Sequence, residues 1–291
     1  MLERIFLKKR ESLASQVAEN LLRSGGRDLS RVEVWIPTAG AGRRIRSALA
    51  ESGVLSPRFT QPMRALLPNE CRMAERFERE GAWALALGKL DHQFLEPLFS
   101  DAKWDSEGSR LKSGGVLCDL CDLLAEAGWS PSHPRVREVC GEDSARWDVL
   151  GRIYPCYLAA LEDFGLTDPN EARFAEMANP SRVGEVDRLV IACIPDLPLA
   201  AQRYAEALAS RGVEVEVLVW LPEGLGGGFD LWGRPDPSEW EECRLEVELS
   251  QISAARSPED EARLAINFAV SSPVPGDYAV VLADPKLGMT F

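Results

Sequence analysis

Histidine is scarce in this chain, since only His92 and His133 occur among its 291 residues. We therefore do not expect a catalytic or zinc-binding site built on imidazole. Long apolar runs are also lacking, because none approaches the roughly 18 residues that a membrane-spanning helix needs. The residues after Met1 show no basic-then-apolar leader pattern. Together these absences predict a cytoplasmic protein.

Positive charge is in deficit. Lys and Arg number 33 against 46 Asp and Glu, which gives a formal net charge of −13 and a pI near 4.8. Such a balance excludes binding to nucleic acid by bulk attraction, so any DNA contact has to be local. Two basic clusters are candidates, either as DNA contacts or as ordinary solvated faces: Arg43, Arg44 and Arg46, and Lys8, Lys9 and Arg10.

Cysteine is present in an odd number, seven, scattered through the chain. This usage is typical of reduced thiols rather than of a disulfide framework. Cys118 and Cys121 form a CxxC pair, but no second pair follows at zinc spacing and both lie in a helical pattern. We interpret them as core residues and expect no metal site in this chain.

Apolar periodicity predicts an α/β fold with a parallel sheet. Together with the strand, glycine-bearing turn and helix described below, it predicts the sheet of a P-loop NTPase or RecA-like helicase domain. An all-helical insertion interrupts it, so the predicted parts are residues 1–67, a helical domain at 68–178, and a second α/β part at 179–291. The predicted strands are 4–7, 32–36, 187–193, 213–220, 246–254 and 278–282. The predicted helices are 11–23, 42–51, 70–87, 92–98, 115–127, 143–164, 170–177, 199–211 and 258–271.

The frame of a nucleotide-binding loop follows the second predicted strand: strand, glycine-bearing turn, then helix. The degenerate loop comprises Thr38, Gly40, Gly42, Arg43 and Arg44. Compared with the A-G-A-G-S-G-K-T loop of a large helicase superfamily, its third glycine is Arg44. Ile45 replaces the phosphate-binding lysine, and Arg46 replaces the Mg²⁺-holding Ser or Thr. The strand, turn and helix of a nucleotide-binding loop are therefore present, but the side chains that bind phosphate and Mg²⁺ are not.

A second motif leads to the same interpretation. In a working helicase of this kind a buried strand ends in Asp-Glu, which holds Mg²⁺ and activates water. Here the strand 189–191 is followed by Ala192 and Cys193, and Asp196 comes three residues later. We interpret Asp196 as part of the start of the next helix rather than as a metal ligand. No catalytic residue is therefore assigned, and ATP hydrolysis is not expected.

These segments resemble the N-terminal region of the AddB/RexB family, the helicase-like and nuclease subunits of bacterial double-strand-break repair complexes. The likeness is carried by residues 184–198 (GEVDRLVIACIPDLP), 212–220 (GVEVEVLVW) and 229–240 (FDLWGRPDPSEW), with 36–38 (IPT) and 256–263 (RSPEDEAR). It spans most of the chain but is diffuse in the helical part.

The resemblance implies a superfamily 1 helicase fold without motor activity, which contacts single-stranded DNA emerging from an AddA-like motor subunit. It also implies a downstream RecB-like nuclease with an iron–sulfur cluster and Mg²⁺. We expect this chain to be an N-terminal piece of a longer protein, because residues 284–291 stop one step after a predicted core strand. Trp232 and Trp240 lie in a polar loop and are candidate base-stacking contacts beside the arginines.

Two other functions stay open at this point. A residual nucleotide site could hold phosphate on Gly40, Gly42 and the amides of a helix start, without hydrolysis. Alternatively, the chain is an α/β protein-interaction module with no link to DNA, which its acidity favours.

Overall fold

Runs of apolar and β-branched residues form five strands of one parallel sheet. The computed structural model that shows this describes residues 2–8, 12–50, 52–68, 71–98, 106–139, 141–221, 226–241, 244 and 248–271. The strands are β1 (Leu2–Lys8), β2 (Val32–Trp35), β3 (Arg58–Thr60), β4 (Arg188–Ala192) and β5 (Glu214–Leu221).

The strands lie in the order β1-β5-β4-β2-β3, and each neighbouring pair is parallel. All five residues of β4 are buried, as expected of a central strand covered on both faces. The chain crosses from β2 to β3 in one direction and from β4 to β5 in the other. Right-handed crossovers therefore place the two connecting helices on opposite faces of the sheet.

The described helices are α1 (Leu13–Gly25), α2 (Ala39–Ala50), α3 (Pro62–Ala65), α4 (Arg76–Gly88), α5 (His92–Leu95), α6 (Glu107–Glu126), α7 (Pro134–Val139), α8 (Ser144–Glu162), α9 (Pro169–Ala178), α10 (Leu199–Ser210), α11 (Pro237–Trp240) and α12 (Pro258–Ser271). Helices α1 and α2 cover one face of the sheet, where Leu21 and Ile45 pack with Val190. Helix α10 covers the other, where Tyr204 packs with Trp35. Alternation along the strands thus builds two separate cores.

Between β3 and β4 the described residues are helical apart from connecting turns, and they have a core of their own. Trp83 on α4 stacks on Tyr157 of α8, with ring centroids 4.2 Å apart. Gly114 on α6 meets α4 so closely that a Cβ there would lie 2.6 Å from the carbonyl oxygen of Glu80. Glycine at this position therefore lets two helices approach each other.

The predicted starts of two of these helices were wrong. Helix α4 begins at Arg76 and not at residue 70, because Glu75 and Glu78 form a capping box that fixes the start. Helix α6 begins at Glu107 and not at residue 115. Ser106 caps it, and Gly114 serves helix packing instead of breaking the helix.

Contacts group the chain into two units, Met1–Trp240 and Glu241–Phe291. In the second unit, residues 248–254, which are the described part of the strand predicted at 246–254, do not form a strand. Leu249–Gln251 forms a short 3₁₀ turn, and Leu249 and Ile252 are mostly exposed, so they have no sheet face to cover. The strand predicted at residues 278–282 lies outside the described residues.

The prediction of an α/β fold with a parallel, RecA-like sheet is confirmed. The assignment of the helical part as an inserted domain, and the two predicted boundaries between the three parts, remain predictions. Within the described part of the chain, no helix has the length and apolar character to cross a bilayer.

Candidate functional site at the carboxyl edge of the sheet

The candidate site lies at the carboxyl ends of β2 and β4. These strands are neighbours, and their last paired residues are Trp35 and Ile191. Their onward connections leave in opposite directions, which makes this the topological switch point of the sheet. Ligands of open α/β sheets bind in the crevice outside the carboxyl ends of strands at such a point. The turn after β2 and the residues after β4 therefore decide what this edge can hold.

The turn after β2 is shorter than predicted. Only Ile36, Pro37 and Thr38 separate β2 from α2, which begins at Ala39, so the predicted start of the helix at residue 42 was wrong. The Thr38 hydroxyl accepts a hydrogen bond from the Ala41 amide at 3.2 Å, and the Thr38 carbonyl accepts one from the Gly42 amide at 3.3 Å. Threonine is a favoured N-cap residue, so the helix begins directly after Thr38 although two glycines lie in its first turn.

This geometry changes the role of the two glycines. A phosphate loop keeps successive amides free to surround the anion, whereas Gly40 and Gly42 lie inside α2. A Cβ at Gly42 would lie 2.6 Å from Cδ1 of Ile36 and 3.6 Å from Cβ of Phe59. Gly42 thus lets the helix pack on β2 and β3. At Gly40 the nearest atom would be 3.6 Å away, so this position has room for a side chain.

The end of β4 supplies no metal or base chemistry. Ala192 is buried, and the Cys193 amide donates a hydrogen bond to the Leu218 carbonyl at 3.0 Å. Burial raises the pKa of the Cys193 thiol to about 12, so it stays protonated at neutral pH. Cys193 has a φ of 52°, a left-handed conformation that is uncommon outside glycine. Asp196 is exposed and lies two residues before Pro198, the N-cap position of α10.

The edge therefore does not fit Mg²⁺ and a nucleoside triphosphate. Ile45, which stands at the lysine position of the loop, is 4% exposed and packs in the core beneath α2. Along the chain from Leu189 to Tyr204, Asp196 is the one Asp or Glu, so the adjacent acid pair of a nucleotide motor is missing from this segment. In the described part of the chain, no group of three His, Cys, Asp or Glu side chains could hold a metal ion.

The three arginines of α2 are exposed. Arg43 and Arg46 are three residues apart and share one side of the helix, while Arg44 is turned about 100° from Arg43. The guanidinium of Arg46 lies over the Phe59 ring, 5.0 Å from its centroid. None of the three pairs with an acidic side chain of the described residues. In the second basic cluster, Lys9 and Arg10 lie outside the described residues.

Of the two tryptophans predicted as stacking contacts, Trp232 is buried and Trp240 is half-buried. Trp232 is 6% exposed and belongs to the core on the α10 face of the sheet, so its ring is covered and the prediction of an exposed contact was wrong. Its polar neighbours concealed this burial. Trp240 is half-buried: its Nε1 donates to the Gly228 carbonyl at 2.5 Å, and its ring meets Phe229 edge-on. These contacts fix the local loop.

Cys118 and Cys121 are both buried in α6, in the core of the helical part. Burial raises the pKa of Cys118 to about 11 and raises that of Cys121 as well. The prediction that they are core residues is confirmed.

Two buried ion pairs that involve strand residues were not predicted from the sequence. Glu33 on β2 accepts hydrogen bonds from Nε1 of Trp35 at 2.9 Å and from Arg182 at 2.6 Å. Arg188, the first residue of β4, donates to Glu216 of β5 at 2.5 Å. The sequence did contain a signal for these pairs, namely charged residues inside otherwise apolar strands. Glu33, Arg188 and Glu216 lie near the amino ends of their strands, so both pairs lie away from the switch point.

A third missed feature is a buried polar network in the helical part. Arg79 on α4 donates to both carboxylate oxygens of Asp122 on α6, at 2.6 and 3.1 Å, and lies 3.3 Å from Asp168. Tyr157 also donates to Asp168. Burial by itself raises the pKa of Asp122, but hydrogen bonds from Arg79 and Asn170 outweigh it and hold that pKa below its ordinary value.

Sequence comparisons add no family assignment: no protein-family model matches the chain, and no curated protein shows significant similarity to it.

Proposed function

We propose that this chain is the non-catalytic, helicase-like region of a subunit of a bacterial double-strand-break repair helicase–nuclease, of the AddB/RexB kind. In this role it contacts single-stranded DNA and a motor subunit, and it does not hydrolyse ATP.

One observation carries the proposal. The switch-point edge of a RecA-like sheet has neither the lysine nor the acid pair of a nucleotide motor, and α2, which starts at that edge, presents three exposed arginines. Thr38 and Gly42 turn the start of α2 into a closed, capped helix. The chain thus keeps a RecA-like sheet but lacks the side chains that hydrolyse ATP. This combination favours a role in binding DNA or a partner protein rather than in catalysis.

The arginines suit phosphate groups for physical reasons. A guanidinium stays charged at all relevant pH values and presents a planar set of donors to phosphate oxygens. Arg46 is held over Phe59, which reduces the entropy it loses on binding. Because the whole chain carries a net charge of −13, the rest of the protein repels DNA while the three arginines attract it. Affinity for DNA is therefore expected to be modest and strongly dependent on salt.

The remaining parts of the proposal follow from the resemblance. The partner is an AddA-like helicase motor subunit, and the setting is the bacterial cytoplasm. An iron–sulfur cluster and Mg²⁺ belong, in this proposal, to the nuclease part of the family. None of the residues at the carboxyl edge is assigned to either group.

Titration of fluorescently labelled single-stranded DNA, followed by anisotropy, tests this function. We expect a micromolar Kd whose logarithm depends linearly on the logarithm of salt concentration. Replacing Arg43, Arg44 and Arg46 together with Gln should reduce the slope by about 2, because each phosphate contact on a single strand contributes about 0.7. A control that removes the same charge from the helical part replaces Lys112, Arg135 and Arg152 with Gln. If both triple variants weaken binding equally, α2 has no special role and the proposal fails.

The two competing functions give different results in the same experiment. A residual nucleotide site predicts that ATP binds and competes with DNA at α2. An interaction module unrelated to DNA predicts no saturable DNA binding at any salt concentration.

A further inference from the structure

The polar network of the helical part continues beyond Asp122 as far as the sheet. Asn170 is 1% exposed and donates a hydrogen bond to Asp122 at 2.8 Å. The side-chain oxygen of Asn170 accepts one from Nη1 of Arg173 at 2.5 Å, and Nε of Arg173 donates to the carbonyl of Met63 at 3.1 Å. Met63 lies in α3, which one residue separates from β3. A single guanidinium therefore joins the core of the helical part to the end of a strand.

Helix α3 needs such support from outside. It is a single turn of four residues, which is too short to be stable by itself. Ala65 and Leu66 anchor it in the core on the α10 face of the sheet. The last carbonyls of a helix have no partner within the helix, and a cationic side chain can satisfy them. Arg173 does this at Met63, so it adds a directed bond to the apolar packing that holds α3.

Strand β3 in turn depends on α3. It has three residues and stands last in the strand order, so among the described strands it pairs with β2 alone. Phe59 is the middle residue of β3, and its ring lies under the guanidinium of Arg46 on α2. A cation is attracted to the face of an aromatic ring, so the place of the ring decides where the guanidinium rests. A displacement of α3 therefore reaches Arg46 through β3 and Phe59.

We propose that Arg173 is a positioning residue for Arg46: it fixes α3, and through Phe59 it places the Arg46 guanidinium for contact with DNA. Arg173 is half-buried and bonded to Met63 and Asn170, so it acts through Arg46 rather than on DNA directly. The helical part thereby tunes the arginines at the carboxyl edge. The consequence for DNA rests on the proposed function, whereas the placement of Arg46 can be measured without DNA.

The first test is nuclear magnetic resonance of the full chain labelled at arginine. The ring current of Phe59 shifts the side-chain protons of Arg46 upfield, and Phe59→Leu, which removes the ring, gives the position without that shift. Arg173→Met keeps an unbranched stem but removes the donors, so it should move the Arg46 resonances toward their position in Phe59→Leu. Arg173→Lys keeps a charged donor and should restore part of the shift. Arg211→Met is the matched control, since it removes a guanidinium that bonds Asn179 at the end of α9, and it should leave these resonances unchanged.

The second test is a double-mutant cycle on the Kd for labelled single-stranded DNA, followed by anisotropy. Arg173→Met should raise the Kd about threefold in the wild type and leave it unchanged in Arg46→Gln, because its effect passes through Arg46. Arg211→Met removes the same charge and should change the Kd equally in both backgrounds.

Two results would overturn the inference: Arg46 resonances that stay in place in Arg173→Met, and a rise in Kd of equal size with and without Arg46. If Arg46→Gln weakens DNA binding and Arg173→Met does not, the DNA function stands and the positioning role fails. If the resonances move and no DNA binds, Arg173 does place Arg46 and the DNA function fails. Should Arg173→Met not fold, as judged by circular dichroism, Arg173→Lys decides: a smaller movement of the same resonances supports the positioning role, and no movement overturns it.

Discussion

Replacing Asp168 with Ala should cost this protein a large part of its stability. Asp168 is buried, with 1% of its side chain exposed, and it carries three interactions at once. Its carboxylate lies 3.3 Å from Nε of Arg79 and accepts a hydrogen bond from Tyr157. It also caps α9 by accepting from the amides of Asn170 at 2.8 Å and Glu171 at 3.1 Å.

The magnitude follows from the burial. Loss of an N-cap alone costs about 0.5–2 kcal/mol. Removing one partner of a buried ion pair costs about 3–5 kcal/mol, because the other charge is left without compensation. Arg79 keeps its two bonds to Asp122, so we expect a total near the lower end, about 3 kcal/mol. The cost of losing the N-cap and the cost of losing the ion pair both arise from the same carboxylate, so the two ranges are not added.

Asp119→Ala provides the matched control. Asp119 pairs with Arg76 at 2.6 Å, but its side chain is 73% exposed, so solvent screens the pair and its loss should lower the stability far less than the loss of Asp168. Urea unfolding, followed by tryptophan fluorescence and by circular dichroism, gives both values if the two signals coincide. Losses that agree within about 0.5 kcal/mol would refute the claim that burial decides what these ion pairs contribute.

Three further predictions concern other parts of the molecule. Gly42→Ala should be less stable than Gly40→Ala by about 1–3 kcal/mol in urea unfolding, because only at position 42 does the new Cβ meet Ile36. Iodoacetamide labelling mapped by mass spectrometry should modify the exposed Cys71 far faster than Cys193, whose raised pKa of about 12 lowers its thiolate fraction by about a thousandfold. The folded-state pKa of Asp122 is lowered, so its contribution to stability is complete above its unfolded pKa of about 3.9 and is lost as pH falls through the folded value. Asp122→Asn should therefore flatten the acid limb of a plot of urea midpoint against pH, and an unchanged acid limb would contradict this.

The sequence predicted much of the sheet and little of the edge geometry. The apolar runs that became β2, β4 and β5 were clear because strands buried in a parallel sheet are nearly continuous in hydrophobicity. Their order was not predictable, since pairing of β2 with β4 joins residues about 150 apart in the chain. The switch point therefore became visible only in the structure.

Glycine caused two of the errors in helix starts. Gly40 and Gly42 were assigned to a turn, and the helix that is α6 was predicted to start at residue 115, although the structure places Gly40, Gly42 and Gly114 inside helices. Gly42 and Gly114 are used for close packing, which depends on a neighbouring element that local sequence does not reveal. Trp232 failed for a related reason, because tertiary contacts bury a ring that its polar neighbours suggested was exposed.

We propose that the switch-point edge contacts DNA and carries out no nucleotide chemistry, and calorimetry on a single sample distinguishes these two roles. Mg²⁺ and ATP at millimolar concentration are titrated into the full chain first, and single-stranded DNA is titrated into the same solution afterwards. We expect no heat of binding for ATP, and micromolar, salt-sensitive binding of DNA that the triple Gln variant at Arg43, Arg44 and Arg46 loses. Saturable ATP binding that the same variant abolishes, with no binding of DNA, would contradict it.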